Sequence, residues 1–196
     1  VALSERGRYE EASAAFGRAL ALKPAAAEAL HALGLALLSQ GRSADAVTVL
    51  ERAVAADPHG AEALYNLGVA QARLERWELA VASYRRTLGS NPDLAEAWDG
   101  LGTSVAKLGR HEEAVPAFDE AIRLRPSFAE ARFNGAVSLT SLHRYAEAVL
   151  ACREAIRLRP DLAPARALLD KLLAALGEPR RSRQALSQAD ENRECI

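Results

Sequence analysis

The sequence contains few of the residues that build disulfide-rich, metal-binding or membrane-spanning proteins. Its two cysteines, Cys152 and Cys195, form no C-x-x-C pair, so we expect neither a disulfide framework nor a thiolate metal site. Aromatic residues make up only 5% of the chain. No run of about 18 apolar residues is present that could span a bilayer. We therefore expect no membrane insertion.

An excess of charge of one sign is also absent. Lysine and arginine together number 25 and aspartate and glutamate 26, which gives a formal net charge of -1. This balance disfavours nucleic acid or an anionic membrane as the partner. The two unpaired cysteines fit a reducing compartment, so a cytoplasmic location is predicted. The abundance of Ala, Leu and Arg favours a bacterial source.

The apolar residues, 49% of the chain, are mostly alanine and leucine, which favour helix over strand. They recur with a period of 34 residues, which the prolines mark most clearly. The repeating prolines are Pro24, Pro58, Pro92, Pro126 and Pro160. A fixed period of this length is typical of a solenoid, whose short units are stable only when they stack on one another.

The period divides the chain into repeats of two helices each. Residues 1–26 are predicted to form a partial first repeat, consisting of the end of a first helix and a complete second helix. Full repeats follow at 27–60, 61–94, 95–128 and 129–162. Residues 163–177 are predicted to form a C-terminal capping helix, and the polar tail 178–196 is predicted to be flexible.

Within each repeat, apolar residues at helical spacing predict which side chains form the core. Leu30, Leu33, Gly34 and Leu37 fall on one face of a first helix. In the next repeat Gln71 stands at an apolar position and Glu75 at the turn glycine, which we interpret as tolerated drift. Pro116 lies near the start of a second helix, where first-turn N–H groups have no partner, so that helix should continue.

Repeat 95–128 contains Trp98-x2-Leu101-Gly102, then Ala114-x3-Phe118, then Pro126, in that order. This order and the period resemble the tetratricopeptide repeat, and the resemblance covers about residues 1–176. It implies an all-α solenoid, a right-handed superhelix of antiparallel helix pairs. It also implies that the first helix of each pair lines a concave groove.

The faces of the first helices opposite the predicted core supply the candidate groove residues. Several are apolar or aromatic where solvent alone would not favour them, which indicates a binding surface. Leu38 is expected on the same exposed face. The candidate partner-binding residues are His31, Leu35, Tyr65, Asn66, Val69, Arg73, Asp99, Thr103, Lys107, Phe133, Asn134 and Val137.

Chaperone-binding members of the family grip a free C-terminal carboxylate with lysine, asparagine and arginine. The positions that match this clamp hold His31, Leu35, Asn66, Glu96 and Gly100. Only the asparagine fits, so a mixed polar and apolar peptide segment suits this groove better. Arg73 and Lys107 favour an acidic residue in that segment, whereas the recurring glutamates oppose a strongly acidic one.

No pattern for catalysis or cofactor binding is found. The four histidines are scattered, and neither a G-x-S-x-G nor a Walker A sequence occurs. We expect no enzyme activity, no cofactor and no metal. The leading hypothesis is a protein–protein interaction scaffold that binds a peptide segment of a partner in the concave groove.

Two alternatives stay open. The chain could be the substrate-recruiting arm of a larger enzyme similar to the O-linked N-acetylglucosamine transferases, since it starts in mid-repeat. It could also be a self-assembling scaffold, a homo-oligomer formed through the open ends of the array.

Overall fold

Helices of 13 and 14 residues alternate throughout the computed structural model, which describes residues 26–177. The chain divides after Leu108 into two compact units. The first unit contains α1 (Ala27–Ser39), α2 (Ser43–Ala56), α3 (Ala61–Arg73), α4 (Trp77–Ser90) and α5 (Ala95–Lys107). The second contains α6 (His111–Leu124), α7 (Ala129–Ser141), α8 (Tyr145–Leu158) and α9 (Ala163–Ala175). The predicted partial first repeat, up to residue 25, and the predicted polar tail 178–196 lie outside the described part of the chain.

The first helix of each pair ends in a left-handed turn. After α1, Gly41 has φ +75°, and the N–H of Arg42 donates to the Leu37 carbonyl at 2.9 Å. This is the Schellman arrangement, which favours glycine because a Cβ is strained at positive φ. Glu75 and His143 occupy the same repeat position with φ +57° and +58°. The turn is therefore kept even where its glycine is replaced.

The second helix of each pair ends at proline. The residue before each repeating proline is excluded from the helical region by the proline ring. Asp57, before Pro58, accordingly has φ -135° and ψ 93°, and Asn91, before Pro92, has φ -139° and ψ 89°. The 34-residue proline period thus corresponds to the helix ends.

The carbonyls of Pro92 and Pro126 each accept a hydrogen bond from a side chain of the next helix. The indole Nε1 of Trp98 donates to the Pro92 carbonyl at 2.8 Å. Arg132 holds the equivalent position one repeat later, and its guanidinium donates to the Pro126 carbonyl at 3.0 Å. An arginine therefore replaces the tryptophan without loss of this hydrogen bond.

Consecutive helices pack within each unit. Buried apolar residues form one cluster across α1, α2 and α3 in the first unit and another in the second unit. On the predicted core face of α1, Leu30, Gly34 and Leu37 are buried, and Leu33 is partly buried against the same cluster. A Cβ on Gly34 would lie 2.5 Å from Leu50, so this glycine allows α1 and α2 to approach closely.

In the second unit Phe118 is buried on α6, and α8 contributes Cys152 to a cluster with Leu172 and Leu173 of α9. Burial raises the pKa of the Cys152 thiol to about 11. A thiol in this environment stays protonated and unreactive at neutral pH.

Two predictions from the sequence are wrong in detail. Gln71 is not an unspecific replacement, because its buried Oε1 accepts a hydrogen bond of 2.7 Å from Ser83 Oγ across α3 and α4. Pro116 is the sixth residue of α6, past the first turn. Pro116 has no N–H to donate to the backbone carbonyl of Glu112. The helix nevertheless continues to Leu124.

Residues 26–177 contain helices and no strand, so the predicted fold class, an all-α solenoid of stacked helix pairs, is confirmed. None of the helices in this range is long and apolar enough to cross a lipid bilayer.

Candidate partner-binding surface

Nine of the twelve candidate residues lie on the first helices of the first unit. There α1 contacts α3, and α3 contacts α5, so the three helices lie side by side. On each helix the candidates follow one another at four-residue spacing, which places them on one stripe. The stripes are His31 and Leu35 on α1, Tyr65, Val69 and Arg73 on α3, and Asp99, Thr103 and Lys107 on α5. Asn66 lies beside Tyr65.

Asn66 and His31 join α1 to α3. Asn66 Nδ2 donates to the Glu62 carbonyl at 2.8 Å and lies 3.0 Å from His31 Nε2. Because the amide nitrogen is fixed as the donor by the carbonyl, Nε2 must accept from it. The other ring nitrogen of His31 lies 3.8 Å from the Glu62 carboxylate. The amide is thus held in one orientation on a half-buried surface.

Arg73 makes a second link between the same helices. Its guanidinium donates to the Leu38 carbonyl at 2.7 Å while the residue stays exposed. Leu38 itself is buried with 6% exposure. The expectation that Leu38 lies on the open face is therefore wrong, because α3 packs over that edge of α1.

Lys107 is the counterpart of Arg73 on α5. Its side chain is exposed, and its Nζ lies 5.9 Å from the centroid of the Trp77 ring. At this distance the indole face attracts the ammonium. The lysine is therefore oriented by an aromatic neighbour.

The floor beneath α3 and α5 is Tyr84, which the sequence did not single out as a groove residue. Its ring is 3% exposed and tilted against Tyr65 with 6.0 Å between centroids. Burial raises the pKa of Tyr84, the nearby Tyr65 and Asp99 add to the increase, and Arg73 opposes it. Three candidate residues of two helices therefore converge on one phenol.

A signal for this arrangement was present in the sequence. Repeats 61–94 and 129–162 have asparagine at one groove position, Asn66 and Asn134, whereas repeat 95–128 has Gly100. A Cβ on Gly100 would lie 2.5 Å from the Tyr84 ring, and one on Gly68 would lie 2.8 Å from it. The ring therefore fits between two helices only because both positions are glycine.

In the second unit, α7 carries the other three candidates. Phe133 and Asn134 are half-buried, and Val137 is 40% exposed, as is Leu35 in the first unit. Near the start of α7, Glu130 forms an ion pair with Arg159 at the end of α8.

No cluster of three or more His, Cys, Asp or Glu side chains suited to a metal ion occurs among residues 26–177. What this surface offers is aromatic and aliphatic area, amide groups in fixed orientations and two exposed cations. These groups are suited to binding a polypeptide.

Comparison with known proteins agrees with this architecture. A family model described as the tetratricopeptide repeat matches residues 1–61, 31–95 and 100–163. A search among curated protein sequences gave no significant match.

Several solved structures are similar. A crystal structure of MamA is 27% identical, with a TM-score of 0.75 over 80% of this chain and 92% of that chain. A crystal structure of YrrB, described as a TPR protein with an unusual peptide-binding site, is 27% identical, with a TM-score of 0.74 over 84% of this chain and 85% of that chain. The chain therefore belongs to the tetratricopeptide repeat family and is a protein-interaction scaffold.

Proposed function

We propose that this protein is a non-enzymatic scaffold that binds a peptide segment of a partner protein on the exposed faces of its first helices. In the first unit the surface is the set of stripes on α1, α3 and α5. In the second unit it is the face of α7 that carries Phe133, Asn134 and Val137. Relatives in this family generally act as scaffolds without catalysis, and YrrB is described as binding a peptide.

The observation that carries the proposal is the pairing of Tyr65 with Asn66. Tyr65 is half-buried and packed on Tyr84, so a ligand would meet a rigid aromatic surface. Asn66 is held by Glu62 and His31, so its carbonyl oxygen stays oriented as an acceptor. A fixed ring for side chains beside a fixed amide for the backbone is the combination that peptide-binding surfaces use.

The test is a selection of ligands followed by affinity measurements. A random peptide library displayed on phage is panned on the whole chain, and the selected peptides are titrated by calorimetry against Tyr65→Ala and Phe133→Ala. Leu79→Ala is the control, because Leu79 is 50% exposed on α4, a second helix. Circular dichroism verifies that all variants are folded.

Truncating an aromatic anchor of an interface costs about 2 kcal/mol or more, roughly a thirtyfold loss of affinity. We expect such a loss for at least one of the two aromatic variants and none for Leu79→Ala. If both aromatic variants bind the selected peptides like the wild type, the proposed surface is wrong. The same holds if the selection yields no binder above background.

A further inference from the structure

Arg73 and Lys107, hereafter the basic pair, occupy the same repeat position on neighbouring helices. They are the last residues of α3 and α5, and these helices contact each other. A cation at a helix C-terminus is favoured by the helix dipole. However, the equivalent residues of α1 and α7 are Ser39 and Ser141, so the array does not need a cation at this position.

Both cations are held by neutral groups. Arg73 donates to the carbonyl of Leu38, and Lys107 lies over the ring of Trp77. Neither forms an ion pair within residues 26–177, whereas Arg42 pairs with Asp45 at 2.6 Å and Arg157 pairs with Glu154 at 3.0 Å. The basic pair is therefore oriented on the surface without being neutralised by a carboxylate.

The surface around the basic pair is polarised along the helices. Glu62 and Glu96 lie in the first turns of α3 and α5, and Asp99 lies one turn further along α5. The basic pair lies at the opposite ends of the same helices, beyond Val69 and Thr103. A segment that crosses α3 and α5 near their C-terminal ends therefore meets positive charge, and one that crosses near the N-terminal ends meets negative charge.

We propose that the segment bound by the first unit extends from Tyr65 to the C-terminal turns of α3 and α5, where it places aspartate or glutamate side chains on the basic pair. Charge complementarity favours this occupant, because each cation is already oriented and has a hydrogen-bond donor available to a carboxylate. This inference rests on the proposed function, since it names the chemistry of the segment that the same surface binds.

The experiment uses the phage selection on the whole chain, repeated with the double variant Arg73→Glu/Lys107→Glu. The control is Arg166→Glu/Lys171→Glu on α9. Each double variant changes two charges from +1 to -1, so each moves the formal net charge from -1 to -5. Arg166 is a matched residue because it is exposed and also donates to a carbonyl, that of Pro160 at 3.3 Å.

We expect peptides selected on the wild type to be enriched in Asp and Glu. Their affinity should fall about tenfold or more in Arg73→Glu/Lys107→Glu and at elevated salt, and stay unchanged in the control. Selection on the charge-reversed variant should enrich Lys and Arg instead.

The two levels of the proposal fail in different ways. If the selected peptides lose affinity in Tyr65→Ala but show no acidic enrichment, or bind the charge-reversed variant equally well, the inference on acidic segments is overturned and the proposed function stands. If the affinity depends on neither Tyr65 nor Phe133, or if no binder is obtained, both are overturned.

Discussion

At the scale of single residues, Gly100 decides how the floor of the surface is built. The Tyr84 ring is enclosed by Gly68 on α3 and Gly100 on α5, and a Cβ on either would lie within 3 Å of it. Since the ring is confined from both sides, it cannot move away from a new methyl group. Glycine is therefore required at position 100 because the Tyr84 ring lies close to it, and not because of the local backbone conformation.

We predict that Gly100→Ala destabilises the protein by about 1–3 kcal/mol through overpacking, although alanine is the better helix former. Gly135→Ala on α7 is the control, because its Cβ would lie 3.5 Å from Phe118, an ordinary contact. That variant should be neutral or gain up to about 1 kcal/mol. Urea denaturation measures both. An equal gain in the two variants would contradict the proposed role of Gly100.

At the scale of elements, the turn between the two helices of a pair imposes its conformation on whatever residue is present. Four such turns, at positions 41, 75, 109 and 143, have a residue with positive φ. Two of these residues are glycine, and the other two are Glu75 and His143. The packing of α3 on α4 therefore outweighs the strain at Glu75.

We predict that Glu75→Gly stabilises the protein by about 1 kcal/mol, because glycine removes the left-handed strain. Glu75→Ala is the matched control, since it removes the same side chain but keeps the Cβ and should give no such gain. The free energies of unfolding are compared from the midpoints of urea denaturation, provided that the m value is the same for all variants. Equal stabilities of the two variants would show that the strain is not the cause.

At the scale of the whole molecule, the packing within each unit of residues 26–177 is mainly between helices that are near to one another in sequence. Stability in such an array is close to a sum of terms from the repeats and from the interfaces between neighbours. A defect should therefore act locally rather than lower the stability of all helices equally. Phe118, 1% exposed on α6, is a suitable site for such a defect.

We predict that Phe118→Ala costs about 3–5 kcal/mol by opening a cavity. Hydrogen exchange followed by mass spectrometry should show the largest loss of protection in α6 and α7 and the smallest in α1 and α2. Phe118→Leu should cost much less, because the equivalent residue of repeat 27–60 is Leu50. A uniform loss of protection along the chain would mean that the array unfolds as one unit.

Regular features of the fold could be predicted from the sequence because they repeat every 34 residues. The prolines and turn glycines indicate where helices end, and the apolar spacing indicates which face of α1 is buried. The burial of Leu38 could not be predicted, because it depends on α3 covering one edge of α1. Helical periodicity shows which residues share a face of one helix, but it does not show which other helices pack against that face.

For the candidate surface, the sequence alone determined the family, the first helices as its location and the stripes of side chains on them. Only the tertiary structure decided how those side chains are held. It paired Asn66 with His31, placed Tyr84 beneath Tyr65 and oriented Arg73 through a carbonyl of another helix. The physical reason is that a repeat pattern specifies what each position shares with its equivalents. The contacts at positions where one repeat departs from the others depend on which residue of the neighbouring helix fills the space.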